Sequence, residues 1–276
     1  MTFSAPRRGA LPPEGPLTIA GITLPAGVHI YGKEGENPDQ PVAWFTSGPF
    51  DDPIDIMDAV HTLAAHFPET GLWPLTVTGL DDSLERPWLD GELLGAWQPS
   101  DHSFNAEEYL LSEMDPDILE EDPEYAEYYA GLTPINEVKA LHPEVSAPFP
   151  AADELYIPWN PETQQIGILL VPATSPADAL EPLGWLGPTN HGLEGIGIAQ
   201  VAKSWEERFH LTVLGASFDV LCFQFPEGGL DRDALVALCA EIYKACPDDY
   251  DQNNYTNPQE YIDQKASAPL FRLWWD

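Results

Sequence analysis

Apolar residues in the first third of the chain fall into short runs, and one longer run follows a helical repeat. The short runs are rich in β-branched and aromatic residues, which favours strands; they are LTIAGITLP, QPVAWFTS and GLWPLTVTGL. Before the last of these, DDPIDIMDAVHTLAAHF has apolar residues every three or four positions, and the aspartates before Pro53 are typical of a helix start. We therefore predict an α/β-type unit over residues 1–90.

The most regular pattern lies in the last third of the chain. Its apolar runs predict strands in QIGILLVPA, LTVLGAS, VLCFQF and LFRLWWD, and helices in SPADALEPLG, GIGIAQVAKSWEERFH, LDRDALVALCAEIYKAC and NPQEYIDQKAS. We assign residues 151–276 to an α+β domain. The fold predicted for the whole chain is α+β, with a mixed, mainly antiparallel sheet flanked by helices, and the zones either pack as one compact unit or stay separate.

The middle zone, residues 91–150, carries an unusual density of acids. Between Pro87 and Val138 there are fourteen acids and no Lys or Arg, interleaved with tyrosines and leucines. One interpretation is an acidic helical or loop insertion, or a linker, kept solvated by its charge. The other is a docking surface for a cationic partner, because aromatic rings among carboxylates suit Lys and Arg. Its candidate residues are Tyr109, Asp115, Asp117, Glu120, Glu121, Asp122, Tyr125 and Tyr128.

Composition narrows the class of partner. Forty-six acids against eleven bases give a net charge of -35, which disfavours nucleic acid and anionic membranes, since both are bound mainly by Lys and Arg. A hydrophobic fraction of 43% is enough for a folded core. No run approaches the roughly 18 apolar residues of a membrane span. The start resembles no secretory signal and the three cysteines form no CxxC pair, so we expect a cytoplasmic protein.

No familiar catalytic pattern frames the reactive residues. The chain has no GxSxG element, no zinc-like spacing of Cys and His, and no phosphate-loop lysine. We therefore predict no catalytic residue and no cofactor. Arg208, one of few bases, is expected to form a structural ion pair with a carboxylate such as Asp248 or Asp276.

One stretch, DYDQNNYTNPQE, has oxygen ligands at the spacing of a calcium loop. The ligands would be Asp249, Asp251, Asn253 and Glu260. Asn254 stands where the sharp turn requires Gly, and there is no second such loop. We favour a turn between two helices over a calcium site.

Several C-terminal segments together carry a family resemblance. The order LGWLGPTNH, SWEERFH, LCFQFPEG, AEIYKACPDD and LFRLWWD resembles the actinobacterial domain of unknown function 4253, over about residues 165–276. His210 departs from the family, whose members commonly have Gly there. The resemblance implies a fold and a core, and no activity, because none is assigned to the family.

Two functions of different classes remain open. The first is a non-catalytic acidic module that binds a basic protein, most concretely a bacterial immunity-type protein that occludes a basic toxin such as a nuclease. The alternative is an enzyme of unassigned chemistry, whose site is assembled from scattered carboxylates.

Overall fold

Eight strands form one sheet in the computed structural model of the protein. The structure describes residues 3–33, 39–48, 53–95, 104–112, 145–193, 195–253, 255 and 257–276. The strands are β1 (Gly15–Ile19), β2 (Ile22–Tyr31), β3 (Pro41–Thr46), β4 (Leu72–Val77), β5 (Gly167–Pro172), β6 (Thr212–Ala216), β7 (Val220–Gln224) and β8 (Leu270–Trp274). Six of the predicted runs match β3 to β8, whereas the run LTIAGITLP is divided by a turn at Ala20 and Gly21 between β1 and the start of β2.

The spatial order of the strands is β1-β2-β3-β5-β4-β6-β7-β8. All neighbouring strands are antiparallel except β4 and β6, which pair in parallel through Thr76 with Gly215 and Val77 with Ala216. The prediction of an α+β fold with a mixed, mainly antiparallel sheet is therefore confirmed. Strands from before residue 91 and after residue 150 belong to the same sheet, and β4 lies between β5 and β6.

Helices occupy the connections. They are α1 (Pro53–Ala65), α2 (Phe67–Thr70), α3 (Ala106–Leu111), α4 (Leu180–Leu183), α5 (Ile196–Phe209), α6 (Arg232–Ala245), α7 (Asp248–Asp251) and α8 (Pro258–Ala266). Helix α1 packs on β4, and α5 packs on both α3 and α6. Among the described residues, no helix has the length and apolar character needed to span a membrane.

Residues at the helix ends explain where α6 and α8 begin and where α5 ends. The Asp231 carboxylate accepts the Ala234 amide and starts α6, and Asn257 caps α8 through the Glu260 amide. Helix α5 ends at His210, which has a left-handed φ of 54°. This conformation favours glycine, because a side chain with a Cβ atom is strained there.

Buried tryptophans tie the sheet to its helices. The indole N–H of Trp73 on β4 donates to the Val213 carbonyl on β6, and that of Trp275 donates to the Ala245 carbonyl at the end of α6. The Trp205 indole donates to the Glu241 carboxylate between α5 and α6. Because these N–H groups are satisfied, the large rings are buried without an unpaired donor.

Candidate functional site

An open groove of about 780 Å³ lies beside α1, between residues 150–161 and the segment that follows β7. We call it the acidic groove. Its floor contains apolar side chains and prolines, including Ile56, Leu155, Ile157, Trp159, Phe225, Pro226 and Pro269. Such a mixture of apolar floor and open access suits a side chain of another protein.

Hydrogen bonds hold the groove wall on the sheet. Gln224 at the end of β7 accepts the Tyr156 amide at 3.0 Å and donates to the Glu154 carbonyl at 3.0 Å. The His61 ring on α1 bonds the Leu155 carbonyl at 2.8 Å. The backbone of this wall is thus anchored from two sides. The Tyr156 side chain nevertheless remains 47% exposed, ready for contact without further ordering of its backbone.

The charged residues that line the groove are acids, and one base, Arg272, reaches its wall, where the guanidinium lies 5.6 Å from the centroid of the Trp159 ring and donates to the Pro158 carbonyl. Asp153, Glu154 and Glu227 line it, and none of the described residues lining it is Lys or Arg. Met57 on α1 adds an apolar side chain that is 41% exposed. The groove therefore combines exposed apolar surface with an acidic rim.

Most of the described lysines and arginines form ion pairs with carboxylates that lie outside the lining of the acidic groove. At least six of the ten lysines and arginines that the structure describes pair with carboxylates; these six are Arg8, Arg86, Lys203, Arg208, Arg232 and Lys265. Because each of these bases is paired with a carboxylate, the charge that remains on the surface comes mainly from unpaired acids. The acidic groove thus lies in a field that attracts cations.

A second cluster, the polar cleft, brings together Thr174, Ser175, Asp178, Lys203, Glu206 and His210. Arg8 and Lys203 contact the Asp178 carboxylate at 2.7 and 2.6 Å. Burial opposes ionisation of Asp178, but hydrogen bonds from Arg8, Lys203 and Thr174 hold its pKa well below the ordinary value.

Glu206 in the same cleft has no such cation. Its side chain is buried, its Oε2 atom accepts a 2.5 Å hydrogen bond from Ser175, and its Oε1 atom is buried with no hydrogen-bond partner in the described part of the chain. Burial raises the pKa of Glu206 to about 8, so the carboxyl group is mostly protonated at neutral pH.

Two carboxyl groups in opposite protonation states are what acid–base catalysis uses. Here the Ser175 hydroxyl donates to Glu206, and the free Glu206 oxygen is shielded from solvent. We assign the polar cleft no reaction, and the enzyme alternative stays a prediction.

The predicted docking residues of the middle zone are only partly described. Tyr109 lies on α3, where its hydroxyl donates to the Lys244 carbonyl at 3.1 Å and its ring faces the Lys244 ammonium. It therefore helps to fasten α3 to α6. The other seven candidates lie outside the described residues; they are Asp115, Asp117, Glu120, Glu121, Asp122, Tyr125 and Tyr128.

The partner predicted for Arg208 was wrong. Its guanidinium binds Glu241 on α6 through both carboxylate oxygens, at 2.7 and 2.5 Å. The reason is geometric, because α5 packs directly against α6. Asp248 instead bonds the His191 ring at 2.8 Å and accepts the Asp276 amide at 3.0 Å.

The calcium-like stretch forms a connection between helices. Asp249 is buried, pairs with Lys265 at 2.7 Å and accepts the Tyr261 hydroxyl at 2.7 Å. Asp251 ends α7, Asn253 donates to the Asp249 carbonyl, and the Glu260 amide donates to the Asn257 side chain that caps α8. In the described part of the chain, no three His, Cys, Asp or Glu residues are grouped to hold a metal.

Sequence reasoning missed the acidic groove. Tyr156, Glu227 and Met57 come from three separate segments of the sequence, and no pattern in the sequence relates these segments to one another. The one available signal was a tyrosine among prolines and acids at residues 150–161, in a stretch that no apolar pattern explained.

The fold and its surfaces define an acidic α+β protein built on a mainly antiparallel sheet. Within it, residues 167–276 match the family model described as a domain of unknown function, DUF4253, which confirms the resemblance drawn from the sequence. No curated protein and no solved structure shows a significant match to the chain.

Proposed function

We propose that this protein is a non-catalytic binding module for a basic protein, and that the acidic groove is its docking site. The observation that carries the proposal is the exposed apolar surface of Tyr156 and Met57 beside the lining acids Asp153, Glu154 and Glu227. A cationic partner would bring an apolar side chain to the floor and its bases to Asp153, Glu154 and Glu227.

The affinity for the partner and the rate of association are expected to come from different features of the protein. Tyrosine is a common hot-spot residue because a rigid ring buries much area at a low entropy cost, so Tyr156 would supply affinity. The net charge of -35 would mainly accelerate encounter, and salt would weaken that contribution.

The more specific form of the proposal is an immunity-type protein in the cytoplasm, which occludes a cognate basic toxin. A nuclease is the clearest example of such a toxin, since it must present bases to bind nucleic acid. The acidic middle zone would then extend the contact beyond the groove.

The proposal is tested on purified basic proteins encoded beside this gene, by calorimetric titration in 50 and 300 mM NaCl. We expect one of them to bind, Tyr156→Ala to weaken that binding by about 10- to 100-fold, and high salt to weaken it further. Glu227→Lys should act in the same direction.

Matched controls separate the groove from the rest of the surface. Tyr31→Ala removes a tyrosine of similar exposure, 42%, from β2, and Glu69→Lys reverses an exposed acid on α2. Neither lines the groove. If all four variants bound the partner equally well, or if no basic neighbour bound in 50 mM NaCl, the proposed function would be wrong.

A further inference from the structure

The polar cleft has a volume of about 500 Å³, which fits a small organic molecule. Its walls come from separate parts of the chain, namely the first described residues, Phe149, the stretch that follows β5, and the last two turns of α5 with His210. It shares no lining residue with the acidic groove, so a ligand of one site does not need the other.

The two bases beside the cleft are already balanced by two acids. Arg8 and Lys203 both contact the Asp178 carboxylate, and both also pair with Glu181. The Thr174 amide and hydroxyl donate to Asp178 as well, at 2.8 and 3.1 Å. These two cations are therefore held by their own acids, and Asp178 has its hydrogen bonds.

Glu206 is the buried acid that this arrangement leaves without a cation. Its side chain belongs to a residue that is only 6% exposed, and its Oε2 atom accepts the Ser175 hydroxyl. Its Oε1 atom has no hydrogen-bond partner among the described residues. A buried acceptor without a donor costs free energy, and it needs an explanation. Because the last torsion of a glutamate is soft, the carboxyl group can turn this oxygen toward a donor that enters the cleft.

The His210 ring gives the cleft a second acceptor. Its Nδ1 atom lies 2.6 Å from the Ala147 carbonyl oxygen. A carbonyl oxygen only accepts, so Nδ1 carries the hydrogen and Nε2 of the neutral ring keeps a lone pair. Stacking on Phe149, with ring centroids 4.7 Å apart, holds the ring in this orientation. No residue in the described part of the chain bonds Nε2, although His210 lines the cleft.

The charges of the lining set the sign of a ligand. Lys203 is the one Lys or Arg among the described lining residues, and it is already paired. Glu207 adds an exposed carboxylate beside Glu206, and neither forms an ion pair with a described base. The cleft thus combines unpaired acceptors with an excess of acid. A compact ammonium group fits both features, because it is positive and every polar hydrogen on it is a donor.

We propose that the polar cleft binds a small primary ammonium compound, whose N–H groups donate to Glu206 and His210 and whose apolar body packs against Phe149. Recognition is expected to depend on the N–H groups and not on positive charge alone. A quaternary ammonium of the same charge has no hydrogen to donate, so it should not be held.

The probe is n-butylammonium, and n-butyltrimethylammonium is the matched ligand without N–H groups. Each is titrated calorimetrically into the full chain at pH 7, in phosphate and in MOPS buffer. We expect saturable binding of the primary ammonium alone. Burial keeps Glu206 mostly protonated in the free protein, since its pKa is about 8, so ammonium binding should release a proton. The measured heat should therefore differ between the two buffers.

Variants locate the binding. Glu206→Gln should weaken it by about 10-fold or more and remove the difference between buffers, because the amide neither ionises nor pairs with a cation. His210→Gly removes the second acceptor at a backbone φ of 54° that suits glycine, and it should also weaken binding. The matched control is Glu69→Gln, which removes an exposed acid on α2 outside the cleft.

Each variant is melted first, and only those that fold like wild type are titrated. Tyr156→Ala should bind n-butylammonium like wild type, which separates this proposal from the acidic groove. The proposal would be overturned by an absence of saturable binding, by equal binding of the quaternary ammonium, or by equal affinity in wild type, Glu206→Gln and His210→Gly.

Discussion

The family-matched segment, residues 167–276, and the segment before residue 95 contribute strands to the same sheet, and the matched strands differ in whether they pair within their own segment. Within the matched segment, β6, β7 and β8 are consecutive in the sheet and pair with one another. Its first strand, β5, instead pairs on both sides with strands of the earlier segment, β3 and β4. The matched residues are therefore two separate pieces of one sheet.

The strand between those two pieces is β4. Six residue pairs join it to β5, and its Thr76 hydroxyl donates to the Leu214 carbonyl on β6 at 2.8 Å. Outside the sheet, Arg8 reaches Asp178 and the Ala5 amide donates to the Thr174 carbonyl. The boundary of a sequence family thus differs here from the boundary of the structural unit.

The largest effect is expected when the two segments are separated. Residues 167–276 expressed alone should show no cooperative thermal transition, because β5 loses both neighbours and β6 loses β4. Circular dichroism during heating measures this. The full chain is the control, and a sharp melting transition of the isolated segment would show that our comparison of the segments is wrong.

The strands were predictable because their apolar runs are local, whereas their order was not. Trp73 and Val171 are directly opposed in the sheet although they are almost one hundred residues apart, and no residue in either strand specifies the other. The acidic groove was hidden for the same reason, since its walls meet only after folding.

The ion pair of Arg208 shows the same limit within one segment. The sequence indicated that this base would be paired, because acids are so abundant. It did not indicate Glu241, which lies 33 positions away on a helix whose crossing with α5 decides the contact.

A large effect is also expected inside the matched segment, at that ion pair. Arg208→Met leaves the Glu241 carboxylate, only 2% exposed, without its cation and should lower the free energy of unfolding by about 3–5 kcal/mol. Adding Glu241→Gln should restore part of that loss, because the unpaired charge is removed while the amide oxygen can still accept the Trp205 indole N–H. Chemical denaturation of both variants measures the difference.

The control for this pair is Arg232→Met, which breaks an exposed pair with Asp263 and should leave stability nearly unchanged. In a chain that already carries the Glu241 change, replacing Arg208 should cause no further loss of stability, and this result would support the ion pair. Equal losses for Arg208→Met and Arg232→Met would contradict a special role for the buried pair.

The smallest effect, and the one that depends on pH, concerns the two carboxyl groups of the polar cleft. The earlier segment supplies Arg8 to Asp178 but no cation to Glu206, so the pKa of Glu206 is raised by burial to about 8. A raised folded-state pKa means that the folded protein holds a proton that the unfolded chain releases above its ordinary pKa near 4.5. Stability contributed by the protonated group is therefore complete below pH 4.5 and is lost as the pH rises toward 8.

Glu206→Gln keeps a neutral side chain throughout, so it should flatten this decline and raise the free energy of unfolding by roughly 2–3 kcal/mol at pH 7. Asp178, with its lowered pKa, loses its stabilising contribution only at more acidic pH and does not interfere in this window. Glu207→Gln changes the exposed neighbour by the same atoms and should keep the wild-type decline. Denaturation curves from pH 4.5 to 8 would contradict the assignment if wild type and Glu206→Gln declined in parallel, because the Glu206 carboxyl would then be ionised in the folded protein.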